Sequence, residues 1–293
     1  MLDVQVVATA AGVGRLEDGG IAVLDSPFPH GGAAIEQTGS LAVLDSCPVR
    51  ERLPVQGTPL LAPLGAPRAL WGVGMNYHSK AAQAGRVVPA EPILYLAAPS
   101  AVVAPGATVH IPVEQTVEMD YEGEIAVVVG RRLHRADPDD VWPAIAAVTA
   151  ANDITARDVM RATAAPTLAK SFPGFNPIGA SVVTPDELAD RDSIRLRTWV
   201  NGELLQDDTS AGMIFAIPDL LARLSWFAAL EPGDVVLTGT PAGTGQERDC
   251  FLRAGDEIRV QVDGVLPLTT TVAAPCTAAA PVARPAPLAE HAG

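Results

Sequence analysis

Cysteine, aromatic residues and positive charge are all scarce in this chain, and no apolar run is long. Three of its 293 residues are cysteine (Cys47, Cys250 and Cys276), with no paired spacing. That pattern excludes a disulfide framework and a cysteine-based zinc site, and we read the three as free structural thiols. Lys and Arg number 20 against 34 Asp and Glu, for a formal net charge of −14. The clustered cations that nucleic acid demands are absent, although a local group of them can still hold a small anion. No apolar run approaches the ~18 residues of a membrane span. The start, MLDVQVVATA, has neither the basic stretch nor the apolar core of a secretory leader. The expectation is a soluble cytoplasmic protein with no nucleic-acid and no membrane partner. No Gly-x-Gly-x-x-Gly follows a strand-like run, which removes a Rossmann dinucleotide site, and no Gly-Lys-Ser/Thr marks a phosphate loop.

What is present is a globular composition, 48% hydrophobic and 18% charged, with strand patterning over most of its length. Residues 1–65 read as a small β-containing N-terminal domain. The near-copies IAVLD (21–25) and LAVLD (41–45) are too short to mark a repeat architecture. Residues 66–274 read as the main domain. Its strand candidates are 70–74, 93–98, 108–112, 124–130, 144–152, 180–184, 196–202, 235–239 and 258–264, each bounded by polar or Gly/Pro punctuation. Helices are expected only around 77–84, 137–142 and 217–228. The Ala/Pro-rich tail, 275–293, has no periodicity and reads as disordered. The fold class is α+β and β-rich.

The stretch EMDYEGEIAVVVG carries Glu122 and Glu124 two residues apart at the edge of an apolar run, and AIAAVTAAND delivers Asp153 at the end of another. Strand period places the two glutamates on one face. Buried carboxylates are costly unless paired or bound to metal. Three oxygen donors suit a hard cation such as Mg²⁺, Mn²⁺ or Ca²⁺ rather than Zn²⁺. Glu118 and Asp120 share the register of Glu122 and either support that site or cap the strand entry. Arg157, four residues after Asp153, suits bidentate contact with a carboxylate, either a substrate's or a metal ligand's. Lys170 stands between apolar neighbours in AKSFPGF and either snorkels to solvent or points into an anionic site. The Gly/Thr-rich loop in LEPGDVVLTGTPAGTG, with Gly239 and Thr240, allows close backbone approach to a ligand. Asn201-Gly202 marks a hairpin turn, with Gln206 and Thr209 as supports.

In order and spacing, DYEGEIAVVVG, ANDITARD, KSF, VNGELLQDDT and LEPGDVVLTGTPAGTG resemble the fumarylacetoacetate hydrolase family. GVGMNY and EPILYLAAPSAVVAPG match two weaker blocks, so the resemblance runs from Leu70 to Val272. It implies a mixed β-roll core with a small N-terminal domain, usually as a homodimer. It also implies Mg²⁺ or Mn²⁺ on Glu122, Glu124 and Asp153, chelating a small anionic 2-oxo acid or 1,3-dicarbonyl acid. Arg157, Lys170 and Thr240 would then contact the substrate and its enolate, with Tyr77, Gln83, Met160 and Gly239 as further substrate-side positions. The chain departs from the family at the lid, where His and Glu normally activate water: NYHSKAAQ puts Lys80 at the His position and Gln83 at the Glu position. Neither is an ordinary general base near neutral pH. His78 lies about 200° away around a helix, so it does not substitute. A strand lysine is replaced by Ala97 and a glutamine by Met160. The expectation is an enzyme that keeps the enolate machinery and acts without hydrolysis, by decarboxylation, tautomerisation or condensation, with Lys80 anchoring a carboxylate or serving as acid. Hydrolytic cleavage of an acylpyruvate, with metal-activated water, is the alternative, and a silent dicarbonyl-acid-binding homologue is a third reading.

Overall fold

The computed structural model describes residues 5–17 and 19–275. Three five-stranded sheets make up its frame, as a β-rich α+β chain should. The first holds β1 (Val6–Thr9), β2 (Gly12–Glu17), β3 (Gly20–Leu24), β4 (Val49–Pro54) and β5 (Leu60–Leu61) in the order β4-β3-β2-β1-β5, with helix α1 (Gly31–Thr38) against it. The two look-alike pentapeptides part company here. IAVLD is β3, buried between two strands, whereas LAVLD runs into a 3-10 turn over Ala42–Ser46 in which only Leu44 is buried. Tertiary neighbours override local preference in a segment this short.

The central sheet has the order β12-β11-β17-β6-β7 and contains β6 (Leu70–Gly74), β7 (Ile93–Ala97), β11 (Gly123–Val129), β12 (Ile145–Asn152) and β17 (Val235–Leu237). Every residue of β11 and β12 is buried, which is why both read as unbroken apolar runs. The two faces of β11 serve different cores. Ile125, Val127 and Val129 pack with Leu196 and Val260 of the third sheet. Ala126 and Val128 join Val6, Leu24 and Ile35 of the N-terminal sheet. Period-two alternation on one strand therefore glues all three sheets together. Val6 and Val182 add a pair of 2.9 Å backbone hydrogen bonds between the first sheet and the rest.

The third sheet, in the order β16-β15-β18-β19-β9, is built from β9 (Thr108–His110), β15 (Arg195–Val200), β16 (Glu203–Thr209), β18 (Glu257–Val262) and β19 (Leu268–Ala273). Asn201 (φ 52°) and Gly202 (φ 83°) make the expected hairpin turn between β15 and β16. Short pairs complete the strands: β8 (Val102–Val103) with β14 (Asn176–Pro177), and β10 (Met119–Asp120) with β13 (Thr155–Ala156). Beside α1 the helices are α2 (His78–Gln83), α3 (Arg157–Thr163), α4 (Pro166–Lys170), α5 (Ile217–Phe227) and α6 (Gly245–Arg248).

Several expectations need correction. The helix expected at 137–142 is two 3-10 turns, Pro138–Asp140 and Trp142–Ala144; each has a proline near its start, and Pro143 would interrupt a longer helix. The segment 180–184 makes only isolated bridges, from Val182 to Val6 and from Val183 to Val148. It is shared between two neighbours and laddered to neither. Helices α1, α3, α4 and α6 and strand β19 have no counterpart in the sequence reading; four to eight residues leave little periodicity to read. The tail beyond Pro275, with Cys276, lies outside the described residues. Among the described residues no helix is long and apolar enough to cross a membrane.

Candidate functional site

The β11–β12 register creates the site. Gly123 pairs with Asn152, so the start of one buried strand lies beside the end of the other. The residues flanking that pair, Glu122 and Glu124 on one side and Asp153 on the other, converge. Carboxylate oxygens of all three lie within 4.8 Å of one another, and all three residues are buried. The Asp153 backbone N–H donates to Glu122 O at 2.8 Å, and the Asn152 side chain accepts from Glu122 N–H at 3.0 Å, locking the junction.

Arg157 and Lys170, the two cations expected near these acids, both contact them. Arg157 Nε donates to Asp120 Oδ2 at 2.7 Å and its Nη2 to Glu122 Oε1 at 2.5 Å. Asp120 therefore supports the site rather than capping a strand. It also accepts the Gly245 and Gln246 backbone N–H groups at 2.7 and 3.0 Å, which anchors α6. Lys170 does not snorkel: it is 3% exposed. Its Nζ donates to Glu122 Oε2 at 2.6 Å, to Thr155 Oγ1 at 2.8 Å and to Asp153 Oδ2. Tyr95 was missed by sequence reasoning. Its hydroxyl donates to Asp153, and its ring lies 5.2 Å beneath Lys170 Nζ.

The electrostatics separate the three acids. Burial raises the Glu122 carboxyl, but Arg157, Lys170 and Lys80 outweigh it and hold it well below the usual range. Burial, then Asp153 and Glu122, push Glu124 well above that range. Asp153 is also raised by burial, with Lys170 opposing. Burial likewise opposes the charge of Lys170, yet the surrounding acids raise it.

This donor set fits a divalent cation on three grounds. Asp153 Oδ1 is buried without a hydrogen-bond partner. Glu124 has no cationic side chain within ion-pair distance among the described residues. Five buried or nearly buried carboxyl groups (Asp120, Glu122, Glu124, Asp153 and Glu247) face three such cations (Lys80, Arg157 and Lys170), so two of the acids have no cation of their own. All-oxygen donors of this kind suit hard ions. Metal binding requires the ionised forms of Glu124 and Asp153, which burial disfavours, so affinity is expected to climb with pH. In the metal-free protein these two raised groups contribute stability that is whole below the ordinary carboxylate range and declines as pH rises through their folded values; Glu122 acts in the opposite sense. The gain in Tm on adding Mg²⁺ over EDTA should therefore widen as pH rises above the ordinary carboxylate range, and a constant gain would count against these ligands.

Above the acids lies a cavity of about 400 Å³. Its lining includes Glu122, Glu124, Arg157, Lys170, Thr240, Met160 and Lys80. Lys80 is 9% exposed, so it does not occupy the wet face of its helix. Its Nζ donates to Thr244 Oγ1 at 2.6 Å and to Glu247 Oε2 at 2.9 Å. Glu247, on α6, is a second residue that sequence reasoning missed. Burial lowers the Lys80 pKa, and Arg157 adds to the effect against the pull of Glu122 and Glu247.

The remaining expected residues also make contacts within the frame. Thr240 lines the cavity, but its hydroxyl donates to Gly123 O at 2.8 Å. Gln206 clamps the same point, donating to Thr240 Oγ1 at 2.8 Å and accepting from Gly123 N–H at 3.0 Å. Gly239 donates its N–H to Glu124 Oε2 at 2.7 Å. It sits at φ 97°, where a Cβ would meet Asn76 Cβ at 2.7 Å, so the contact requires glycine. Gln83 is exposed and accepts from Gly243 N–H at 2.8 Å, tying the lid helix to the loop. His78 is exposed outside the cavity lining. Tyr77 is fully buried, with an unpartnered hydroxyl.

Residues 69–273 match the family model for the fumarylacetoacetate hydrolase C-terminal domain. The chain belongs to the fumarylacetoacetate hydrolase family. It is 37% identical over 215 residues to the mitochondrial oxaloacetate tautomerase FAHD2A of Homo sapiens, covering 72% of this chain and 68% of that one. It is 34% identical over 204 residues to the oxaloacetate tautomerase YisK of Bacillus subtilis, covering 68% of each. Among solved structures, the fumarylacetoacetate hydrolase of Exiguobacterium antarcticum superposes with a TM-score of 0.79 at 30% identity, over 92% of this chain and 99% of that one. The 5-carboxymethyl-2-hydroxymuconate delta-isomerase of Mycobacterium smegmatis gives 0.74 at 28% identity, over 92% and 99%. The sheet architecture above is thus the family's fold, and the resemblance read from the motifs holds.

Proposed function

We propose that this family member is a divalent-metal-dependent tautomerase that interconverts the keto and enol forms of a 2-oxo acid, with oxaloacetate the first candidate. The observation that carries the reading is the replacement at the lid. The water-activating positions hold Lys80 and Gln83; Gln83 is turned to the Gly243 backbone, while Lys80 faces the cavity with Glu247 beside it. The relatives named oxaloacetate tautomerases support the same choice. Keto–enol exchange needs a proton moved between carbon and oxygen and no attacking water.

Glu122, Glu124 and Asp153 would hold Mg²⁺ or Mn²⁺, which when bound polarises the 2-oxo group as a Lewis acid. Lys170, kept cationic by its acids and lining the cavity, would supply positive charge beside the oxygen where oxyanion charge develops. Lys80 lines the cavity beside Glu247, and burial disfavours its charge; in its neutral form it would take the proton from C3 and return it to oxygen. Thr244 and Glu247 hold the Lys80 amine in place. Arg157 is engaged by Asp120 and Glu122, so its first task in this scheme is to orient a ligand carboxylate. The same proposal includes the homodimer implied by the family and a cytoplasmic location. Trp226 and Phe227, 62% and 80% exposed, offer apolar surface for a second copy.

A proton NMR time course of oxaloacetate in D₂O tests the reading, with Mg²⁺ and with EDTA. Metal-dependent C3 deuterium exchange without loss of CO₂ is expected. Release of two acids from an acylpyruvate instead would establish hydrolysis. Replacing Lys80 by methionine should slow exchange by about 10²–10⁴-fold with metal affinity unchanged; wild-type rates in that variant would remove Lys80 from the chemistry.

A further inference from the structure

Five cationic side chains line the cavity: Lys80, Arg86, Arg157, Arg161 and Lys170. Four are matched to acids. Arg157 pairs with Asp120 and Glu122, Lys170 with Glu122 and Asp153, Lys80 with Glu247 at 2.7 Å, and Arg161 with Glu118 at 2.6 Å. Arg86 alone has no carboxylate within ion-pair distance, and its guanidinium makes no hydrogen bond, among the described residues. Arg86 is therefore the one cation of the cavity lining, among the described residues, whose donors are open to a ligand.

The backbone fixes where Arg86 stands. Helix α2 closes with Gly85 at φ 60°, whose N–H donates to Ala82 O at 3.2 Å, and the Arg86 N–H donates to Ala81 O at 2.9 Å. This paired 5→2 and 6→1 closure is the Schellman motif, which holds the residue after the glycine against the last turn. Arg86 thus leaves the same helix that presents Lys80. It is exposed, whereas Glu122, Glu124 and Lys170 are buried, so it marks the cavity mouth. Val73, Ile93, Met160 and Pro166 supply apolar wall to the same cavity. The cavity therefore has a cation-binding acidic floor, an apolar waist and one unengaged guanidinium at its opening. A 2-oxo monoacid uses the floor alone. At about 400 Å³ the cavity has room for a longer molecule.

We infer that Arg86 recognises a second carboxylate at the far end of the substrate, making this protein selective for dicarboxylic 2-oxo acids over their monocarboxylic counterparts. The inference rests on the tautomerase reading for its substrate class, but it can be tested by binding as well as by turnover. A planar guanidinium grips carboxylate through two parallel N–H donors, which a methionine of similar reach lacks. Oxaloacetate and 2-oxobutanoate form one pair of probes, and 2-oxoglutarate and 2-oxopentanoate the other; in each, a methyl replaces the distal carboxylate.

Wild type and R86M would be compared with Mg²⁺ present, by calorimetric binding of all four acids and by C3 deuterium exchange. The expected result is that R86M weakens binding of both diacids by roughly tenfold, raises KM rather than lowering kcat, and leaves both monoacids unchanged. R86K should recover only part of the loss. Equal losses for diacid and monoacid, no loss for either, or a wild type without preference for the diacids would overturn the inference. If wild type binds the diacids but exchanges none of them, the tautomerase reading fails while the Arg86 comparison still gives its answer.

Discussion

Replacing Glu124 by glutamine should erase divalent-metal binding while leaving the metal-free protein about as stable as wild type. Glu124 is 1% exposed, and burial, Asp153 and Glu122 all favour its neutral form when no cation is present. Glutamine copies the shape of that neutral acid and can still accept the Gly239 N–H held at 2.7 Å. It cannot bring the negative charge that a hard cation requires. Removal of partners outside a metal's ligand set costs about 10–100-fold in affinity, so loss of a direct charged ligand should reach at least the upper end of that range. Calorimetry with Mn²⁺ gives the affinity, and thermal melts in EDTA give the stability. Wild-type Mn²⁺ affinity in the variant would take Glu124 out of the ligand set. A large fall in metal-free Tm would mean that the charged form stabilises the fold.

Lys170→Met should behave in the opposite way, destabilising the metal-free protein most. The ammonium is the partner of two buried acids, at 2.6 Å from Glu122 Oε2 and in contact with Asp153 Oδ2. Taking one member from a buried ion-pair group costs about 3–5 kcal/mol, because the charges left behind are neither solvated nor matched. A bound divalent cation would supply part of the missing charge, so the loss should shrink when Mg²⁺ is present. Exchange at C3 should fall by about 10²–10³-fold, the usual scale for losing one electrostatic stabiliser of a developing oxyanion. Urea melts with and without Mg²⁺ test the first part and exchange rates at saturating substrate the second. A stability loss that Mg²⁺ does not reduce would argue that Lys170 and the metal do not share the same acids.

Much of this was legible before any coordinates. Glu122, Glu124 and Asp153 stood out because each flanks a run too apolar to tolerate an unmatched acid, and β11 and β12 are indeed buried along their whole lengths. The lid departure could be read from NYHSKAAQ alone. The supporting residues were hidden for a physical reason. Tyr95 looks like an ordinary strand aromatic until its hydroxyl is found on Asp153. Glu247 follows a Gly/Thr loop in a helix of four residues, and nothing local says that it reaches Lys80. Sequence also gives no hint that Gly239 holds Glu124 or that the Thr240 hydroxyl is tied to Gly123. Hydrogen-bond partners far apart in sequence leave no periodic trace, so a pattern reading reaches the ligands and stops before what holds them.

The Lys80–Glu247 contact joins positions 167 residues apart. The cavity wall is therefore closed by the last part of the chain coming back onto the first helix of the matched region, through the parallel pairing of β6 with β17. Such distant pairings form slowly, because the closure entropy of a long loop precedes any reward from the contact. Hairpins such as β15–β16 can form long before there is a place for substrate. Competence is therefore expected to come late in folding: a nascent chain that has not yet delivered α6 carries all three acids but lacks Glu247 and its contact with Lys80.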